Sequence, residues 1–170
     1  MIYLLQEKGG GAVLKNFLIV LGVSMMPLIE LRGALPIASG LGLPVIPSLV
    51  VAMLGNLLPM PFIFMFAQSL LRSGADSENE WLRKFCQFCV KKGKRGGEKL
   101  QQKNHASIYL ALVFFVGIPL PGTGAWTGTL AASFLGLDFR RTMCAVTGGT
   151  LLAGLIMLAI SFGLLGRLFG

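Results

Sequence analysis

The chain has 170 residues, of which 54% are hydrophobic and only 13% charged, with a net charge of +8. A soluble domain carries about 25% charged residues, so the composition points to one compact membrane domain with no separate soluble one. It excludes a nucleic-acid-binding protein, because no basic domain is left outside the membrane.

Nothing near the N-terminus pairs an apolar core with a small-residue cleavage site, so no cleaved signal peptide is expected. The first uncharged segment, Asn16–Ile29, would make about 21 Å of helix. That is short of a ~30 Å hydrocarbon core, although adding Ala12–Lys15 would extend it toward a tilted span. It runs into Pro27-Leu-Ile-Glu-Leu-Arg-Gly-Ala-Leu-Pro36, which places Glu30, Arg32 and two prolines inside an apolar stretch. A second short arm, Gly33–Leu43, follows, and then a full-length span at about Val45–Leu71.

Between Arg72 and His105 lie nine Lys or Arg and four acids. Trp81, Leu82, Phe85, Phe88 and Cys89 recur there at helical spacing, with Arg83, Lys84, Lys91 and Lys92 elsewhere on the wheel. This predicts an interfacial amphipathic helix, with Asp76-Ser77-Glu78 as its cap and Lys91-Lys-Gly-Lys-Arg95 facing anionic headgroups. Cys86, Cys89 and Cys144 make no disulfide framework, and Cys86-x-x-Cys89 has no second pair to complete a metal site.

The arm–tip–arm–span order then recurs. Ala106–Ile118 and Ala125–Leu137 flank Ile118-Pro-Leu-Pro-Gly-Thr-Gly-Ala-Trp126, and about Thr142–Gly166 forms a second full span. Gly33-Ala34 matches Gly124-Ala125 at an offset of 91, whereas Gly42-Leu43 and Gly55-Asn-Leu-Leu58 match Gly136-Leu137 and Gly149-Thr-Leu-Leu152 at 94. A bilayer tolerates broken backbone only where protein or a watery cavity covers it. Paired interruptions in two halves therefore mark a transport site.

The expected fold is an all-α polytopic membrane protein, a single domain over residues 1–170. Repeat 1 covers about 12–71 and repeat 2 about 106–168, each a re-entrant helical hairpin plus a transmembrane helix, joined by the cytoplasmic amphipathic loop 72–105. With one full span between the hairpins, the repeats are inverted. The 72–105 loop and Arg140-Arg141 put eleven Lys/Arg on one side, against Lys8, Lys15 and Arg167 on the other. The positive-inside bias makes the first side cytoplasmic, in a multi-pass protein of the cell's inner membrane.

Glu30 is the one acid expected at membrane depth, where ionisable groups mark substrate, ion or proton paths. Arg32 is its natural partner, although residues two apart diverge on a helix. The second tip lacks charge. Pro119 and Pro121 withhold donors, while Gly122 and Gly124 permit positive φ. Thr123, Thr127 and the free N–H groups where Ala125 begins a helix would receive an anion or polar headgroup, with Trp126 covering it. A tight turn whose glycines let helices touch explains the same residues. Pro36 completes the first tip in this reading. Asn56 is expected to close that tip, and Thr150 occupies the equivalent position on the second span. Asp138, Arg140 and Arg141 form either an interfacial anchor or a headgroup-selecting gate. Glycines such as Gly122-x-Gly-x-x-x-Gly128 suit internal packing or a homodimer. No intramembrane carboxylate pair, Ser/His constellation, metal-spaced cluster or Walker A loop is present, so neither enzyme activity nor a metal or cofactor is expected.

At Glu30-Leu-Arg-Gly-Ala-Leu-Pro36, Gly55-Asn-Leu-Leu-Pro59 and Ile118–Gly128 the chain resembles the prokaryotic "putative small multidrug export protein" family, from about Lys15 to the C-terminus. More distantly, two broken hairpins in inverted order look like the DedA/VTT membrane superfamily. That likeness implies lipid or polyprenyl-phosphate movement, with proton coupling in some bacterial members. Glu30 would match that superfamily's first-hairpin acid. Gly117 and Gly124 stand near its second-hairpin arginines, so phosphate recognition would need Arg32, Arg140 or Arg141 instead.

Three functions follow from these residues. The first is an exporter of a small, amphipathic or anionic compound, coupled to protons through Glu30. The second is a DedA-like lipid flippase or scramblase. The third is a membrane scaffold that recruits partners through its loop.

Overall fold

A computed structural model describes residues 10–75, 80, 83, 84, 87, 105–120 and 122–164. Its described residues are helical throughout, apart from turns. They form α1 (Gly10–Met25), α2 (Glu30–Gly40), α3 (Val45–Leu57), α4 (Met60–Ala75), α5 (His105–Gly117), α6 (Ala125–Phe134) and α7 (Phe139–Leu158), which ends in a π-helical turn, Ala159–Leu164.

The apolar lengths sort these helices into two classes. α3 and α4 run on as one rod, because Leu58 N–H still reaches the Leu54 carbonyl and Ile63 N–H the Pro59 carbonyl. The rod, Val45–Leu71, has 27 residues, and Phe139–Ser161 has 23, or roughly 40 and 35 Å, enough to cross a bilayer. By contrast α2 has 11 residues and α6 has 10, about half that thickness. α1 has 16 and does include Ala12–Lys15, but at about 24 Å it is still short. The expected Trp81–Cys89 amphipathic face and its Asp76–Glu78 cap lie outside the described residues. Within that region Lys84 and Arg83 approach Glu80 at 3.5 and 4.0 Å, exposed pairs at helical spacing that add little stability.

Side chains are distributed as in a lipid-facing protein. Phe62, Phe66, Met65 and Ile46 are more than 60% exposed, while the interior is built largely from Ala34, Ala38, Ala52, Ala125, Ala132, Ala145 and Ala153. Lipid tails give helices no hydrophobic reason to associate, so small residues that allow close backbone approach do the packing. Gly55 and Gly149 show how close. A methyl on Gly55 would sit 2.6 Å from the Leu21 carbonyl of α1, and one on Gly149 2.7 Å from the Val113 carbonyl of α5. Gly55→Ala and Gly149→Ala are each expected to cost about 1–3 kcal/mol. Gly22→Ala, with nothing within 4 Å of the added methyl, is expected to be neutral or to stabilise by up to about 1 kcal/mol. Thermal unfolding in detergent ranks the three.

The two halves repeat at the level of single hydrogen bonds. α2 ends with Leu43 N–H on the Ala38 carbonyl and Gly42 N–H on that of Ser39. α6 ends with Leu137 on Ala132 and Gly136 on Ser133, all at 3.0–3.1 Å. This is the Schellman arrangement, which needs a left-handed residue. Gly42 and Gly136 supply it at φ 65° and 66°. The motif behind it is Ala38-Ser-Gly-Leu-Gly-Leu43 and Ala132-Ser-Phe-Leu-Gly-Leu137.

The offset of 94 runs back through α2 and α6, so Glu30 corresponds to Gly124; the match of Gly33-Ala34 to Gly124-Ala125 at 91 is not the structural one. The arms α1 and α5 align at 92 through the Gly55 and Gly149 contacts. The extra length is thus two residues in the second tip.

Contacts between helices follow the same scheme. α1 packs on α2 and α3, and α5 on α6 and α7, while α2 crosses to α7 and its π turn and α6 crosses to α4. The core is accordingly two clusters, one around Leu31, Leu35 and Leu49 and one around Met60, Phe64 and Val116. Equivalent hydroxyls brace the crossings: Ser39 donates to the Ser161 carbonyl at 3.1 Å and Ser133 to the Phe64 carbonyl at 3.2 Å.

Candidate functional site at the junction of the two tips

The turn between α1 and α2 closes at Met26–Ile29, and α2 begins at Glu30. Pro36 therefore lies inside α2 and not in the tip. The chain reverses upstream of it, through Pro27 and a left-handed Leu28 (φ 75°) and Glu30 (φ 51°). Left-handed backbone costs an ordinary residue about 1–3 kcal/mol. At Glu30 it swings the side chain inward, leaving the residue 6% exposed.

The carboxylate is seated on the other half of the molecule. Oε1 accepts from the Trp126 N–H at 3.0 Å, and Oε2 from the Ala125 N–H at 3.4 Å. These are free donors at the start of α6, whose own preceding residue, Gly124, offers no side-chain cap. Glu30 is thus a cap supplied from 95 residues away in sequence. A negative charge at a helix N-terminus also suits the helix dipole.

Gly124 makes room for it. It lies at φ 149°, ψ −176°, a region open essentially to glycine, and a methyl there would come 2.3 Å from Glu30 Oε2. The position equivalent to Glu30 in the second half is therefore the slot that Glu30 fills. The free N–H groups expected to receive an anion are present, and Glu30 itself occupies them.

Arg32 turns the opposite way, as residues two apart on a helix do. It forms no ion pair with Glu30, contrary to the expectation that the two are partners. Its guanidinium instead donates to the carbonyls of Leu120, Ile118 (3.0 Å) and Val116 (3.3 Å), and to Thr123 Oγ1 (3.0 Å). These carbonyls close the C-terminal end of α5, where a cation is favoured. Thr123 Oγ1 lies 2.9 Å from both Ile118 and Leu120 carbonyls, which ties the turn to itself. One turn of α2 thus holds both ends of the second tip with charges of the appropriate sign.

The other expected site residues are less concentrated. Thr127 is exposed and donates to the Gly124 carbonyl at 3.3 Å. Trp126 has its indole Nε1 buried without a partner. Pro119 and Gly122 (φ 82°) shape the turn, and Pro121 lies outside the described residues. Asn56, 2% exposed, makes no hydrogen bond to the first tip. Its Oδ1 is unpartnered, as is the Oγ1 of the equivalent Thr150.

Asp138 caps α7 by accepting from Arg141 N–H at 3.0 Å, and its own N–H donates to the Tyr109 hydroxyl at 3.2 Å. Arg140 and Arg141 are exposed near the start of α7 and stand apart from the tips. Gly128 packs on Val116, with a methyl there 2.6 Å away. Together with Gly124 it therefore serves internal packing. Among the described residues no group of His, Cys, Asp or Glu is arranged to hold a metal ion.

The carbonyl acceptors of Arg32 and the bracing serines are not read from sequence. The first are backbone groups without a residue signature. The serines stand in the repeated Ala-Ser-x-Leu-Gly-Leu, which is a legible signal.

Residues 30–156 match the family described as "Putative small multi-drug export protein". The match begins at Glu30 and takes in α2, the second tip and most of α7. No curated protein and no solved structure matches the chain significantly.

Proposed function

From the premise that this chain belongs to the Putative small multi-drug export protein family, we propose that it exports a small or amphipathic compound across the cell's inner membrane in exchange for protons bound at Glu30. The family is one of exporters and not of enzymes. The observation that carries the reading is the seat of Glu30. A buried carboxylate holds the two halves together at the point where both apolar runs are interrupted. Ionisable groups at such depth are retained for transport work.

In this proposal α1–α2 and α5–α6 are re-entrant hairpins entering from opposite faces, because their short helices flank a single full span, Val45–Leu71. The repeats are then inverted, and the 72–105 loop is cytoplasmic. The polar part of the substrate exchanges with the Glu30 carboxylate for the N–H groups of Ala125 and Trp126. Its apolar part lies against Met26, Leu28 and Leu120, which are 50%, 91% and 54% exposed beside the junction.

The test is transport in proteoliposomes with an imposed pH gradient, using labelled amphipathic cations, anions and polyprenyl phosphate in parallel. Glu30→Gln is expected to lose the proton-driven component. Full proton-driven transport by that variant would refute the assignment. If only the polyprenyl phosphate moves, and without a gradient, the chain is a lipid scramblase. If deleting the loop matters and Glu30 does not, it is a scaffold.

A further inference from the structure

We infer that the first turn of α2 is a two-ended latch on the second tip, in which protonation of Glu30 frees the α6 end while Arg32 keeps the α5 end tethered. The inference deepens the export reading by naming the moving part and its hinge.

The argument starts from the donors and acceptors at the two ends. An ionised carboxylate only accepts hydrogen bonds, so both oxygens of Glu30 can face backbone N–H groups. Adding a proton removes the negative charge and turns one oxygen into a hydroxyl, a poorer acceptor, so the charge-assisted bonds to Ala125 and Trp126 weaken. Arg32 is always charged, and its acceptors are carbonyls and a hydroxyl that do not titrate near neutrality. One end of the tip therefore responds to pH and the other does not.

Among the described residues the charged surroundings of Glu30 are sparse. On its own helix Arg32 is the neighbouring charge. The second tip and α6, Ile118 to Phe134, contain no titratable side chain, and neither does α3. α1 carries Lys15, and α7 carries Arg140, Arg141 and Cys144, all exposed. α5 carries Tyr109, engaged with Asp138, and His105 at its far end.

Two features make release directional. Leu28 and Glu30 are both left-handed, so loosening the seat lets a strained turn relax. Gly124, with no side chain and an extended glycine backbone, then acts as the pivot for the start of α6. The Arg32 contacts at Val116, Ile118, Leu120 and Thr123 keep the turn from separating. Motion is confined to the segment from Gly124 into the first turn of α6.

Trp126 reports on this without any substrate. The chain has two tryptophans, and Trp81→Phe leaves a single probe, Trp126, whose backbone N–H donates to Glu30. In bilayer nanodiscs, Trp126 emission is expected to shift in one single-proton transition between alkaline and acid pH. Glu30→Gln is expected to hold the acid-form emission at every pH. A pH-independent Trp126 in the Trp81→Phe parent, or an unchanged titration in Glu30→Gln, overturns the latch.

Amide exchange of the 124–130 segment, corrected for intrinsic rates, supplies a reading that needs no variant. It should accelerate on acidification, while residues 139–158 do not. Uniform behaviour of the two segments also overturns the proposal. Failure of export with an intact Trp126 transition would reject the transport reading alone.

Discussion

Gly124→Ala is expected to destabilise the protein by about 3–5 kcal/mol, the sum of a forbidden backbone conformation and an overpacked contact. The residue sits at φ 149°, ψ −176°, where a side chain is strained whatever the space. In addition the methyl would approach Glu30 Oε2, Cδ and Oε1 to 2.3–2.7 Å. The carboxylate cannot yield easily, because leaving the slot strips Ala125 and Trp126 of their acceptor. Gly122→Ala is the control: φ is 82°, yet nothing lies within 4 Å of the added methyl. It carries the backbone cost without the clash and is expected to cost about 1–2 kcal/mol. Thermal unfolding in a single detergent measures both, and equal losses would mean that the Glu30 contact has no energetic weight.

Glu30→Ala is the second large effect, expected at about 2–4 kcal/mol. It removes a charged cap and leaves two N–H groups unpaired at a buried helix start. Glu30→Gly should be milder by about 1 kcal/mol, because glycine adopts the left-handed backbone without penalty. The double substitution Glu30→Ala with Gly124→Ala is expected to cost less than the sum of the singles by at least about 1 kcal/mol. Removing the carboxylate empties the space that the methyl needs. Strict additivity in that cycle would separate the two residues and remove the physical basis of the junction.

Family membership and geometry bear on different parts of the reading. The match over residues 30–156 says that the chain is an export-family membrane protein. The geometry shows how Glu30 and Arg32 hold the second tip. Glu30 and Arg32 form no direct ion pair, and each is used on a different end of the same turn. A protein needing only a stable tip could have capped α6 with a local Ser, Thr, Asp or Asn at position 124. Here the cap comes from the other half of the molecule, so the stability of the tip depends on how the halves sit together.

Much of this was legible in the chain itself. Composition and run lengths determine a membrane protein with two full spans and four shorter arms, since hydrocarbon thickness sets a length that residues either reach or miss. The Gly-Leu pairs determine the matching ends of α2 and α6, because the Schellman turn needs a left-handed residue and glycine supplies it. Glu30 stands out as the acid expected at depth by the same hydropathy argument, and the structure buries it.

Only the tertiary structure decided what Glu30 and Arg32 touch. Their partners are backbone groups more than 80 residues away, and a backbone N–H or carbonyl leaves no mark in the sequence. Pro36 fell inside a helix because the reversal is made upstream by left-handed Leu28 and Glu30, residues whose side chains give no hint of that conformation. The correspondence of Glu30 with Gly124 likewise emerged from hydrogen-bond register, where residue matching alone had placed Gly33 there. Local preferences are written residue by residue, whereas the junction of the tips exists only once two distant turns have been packed against each other.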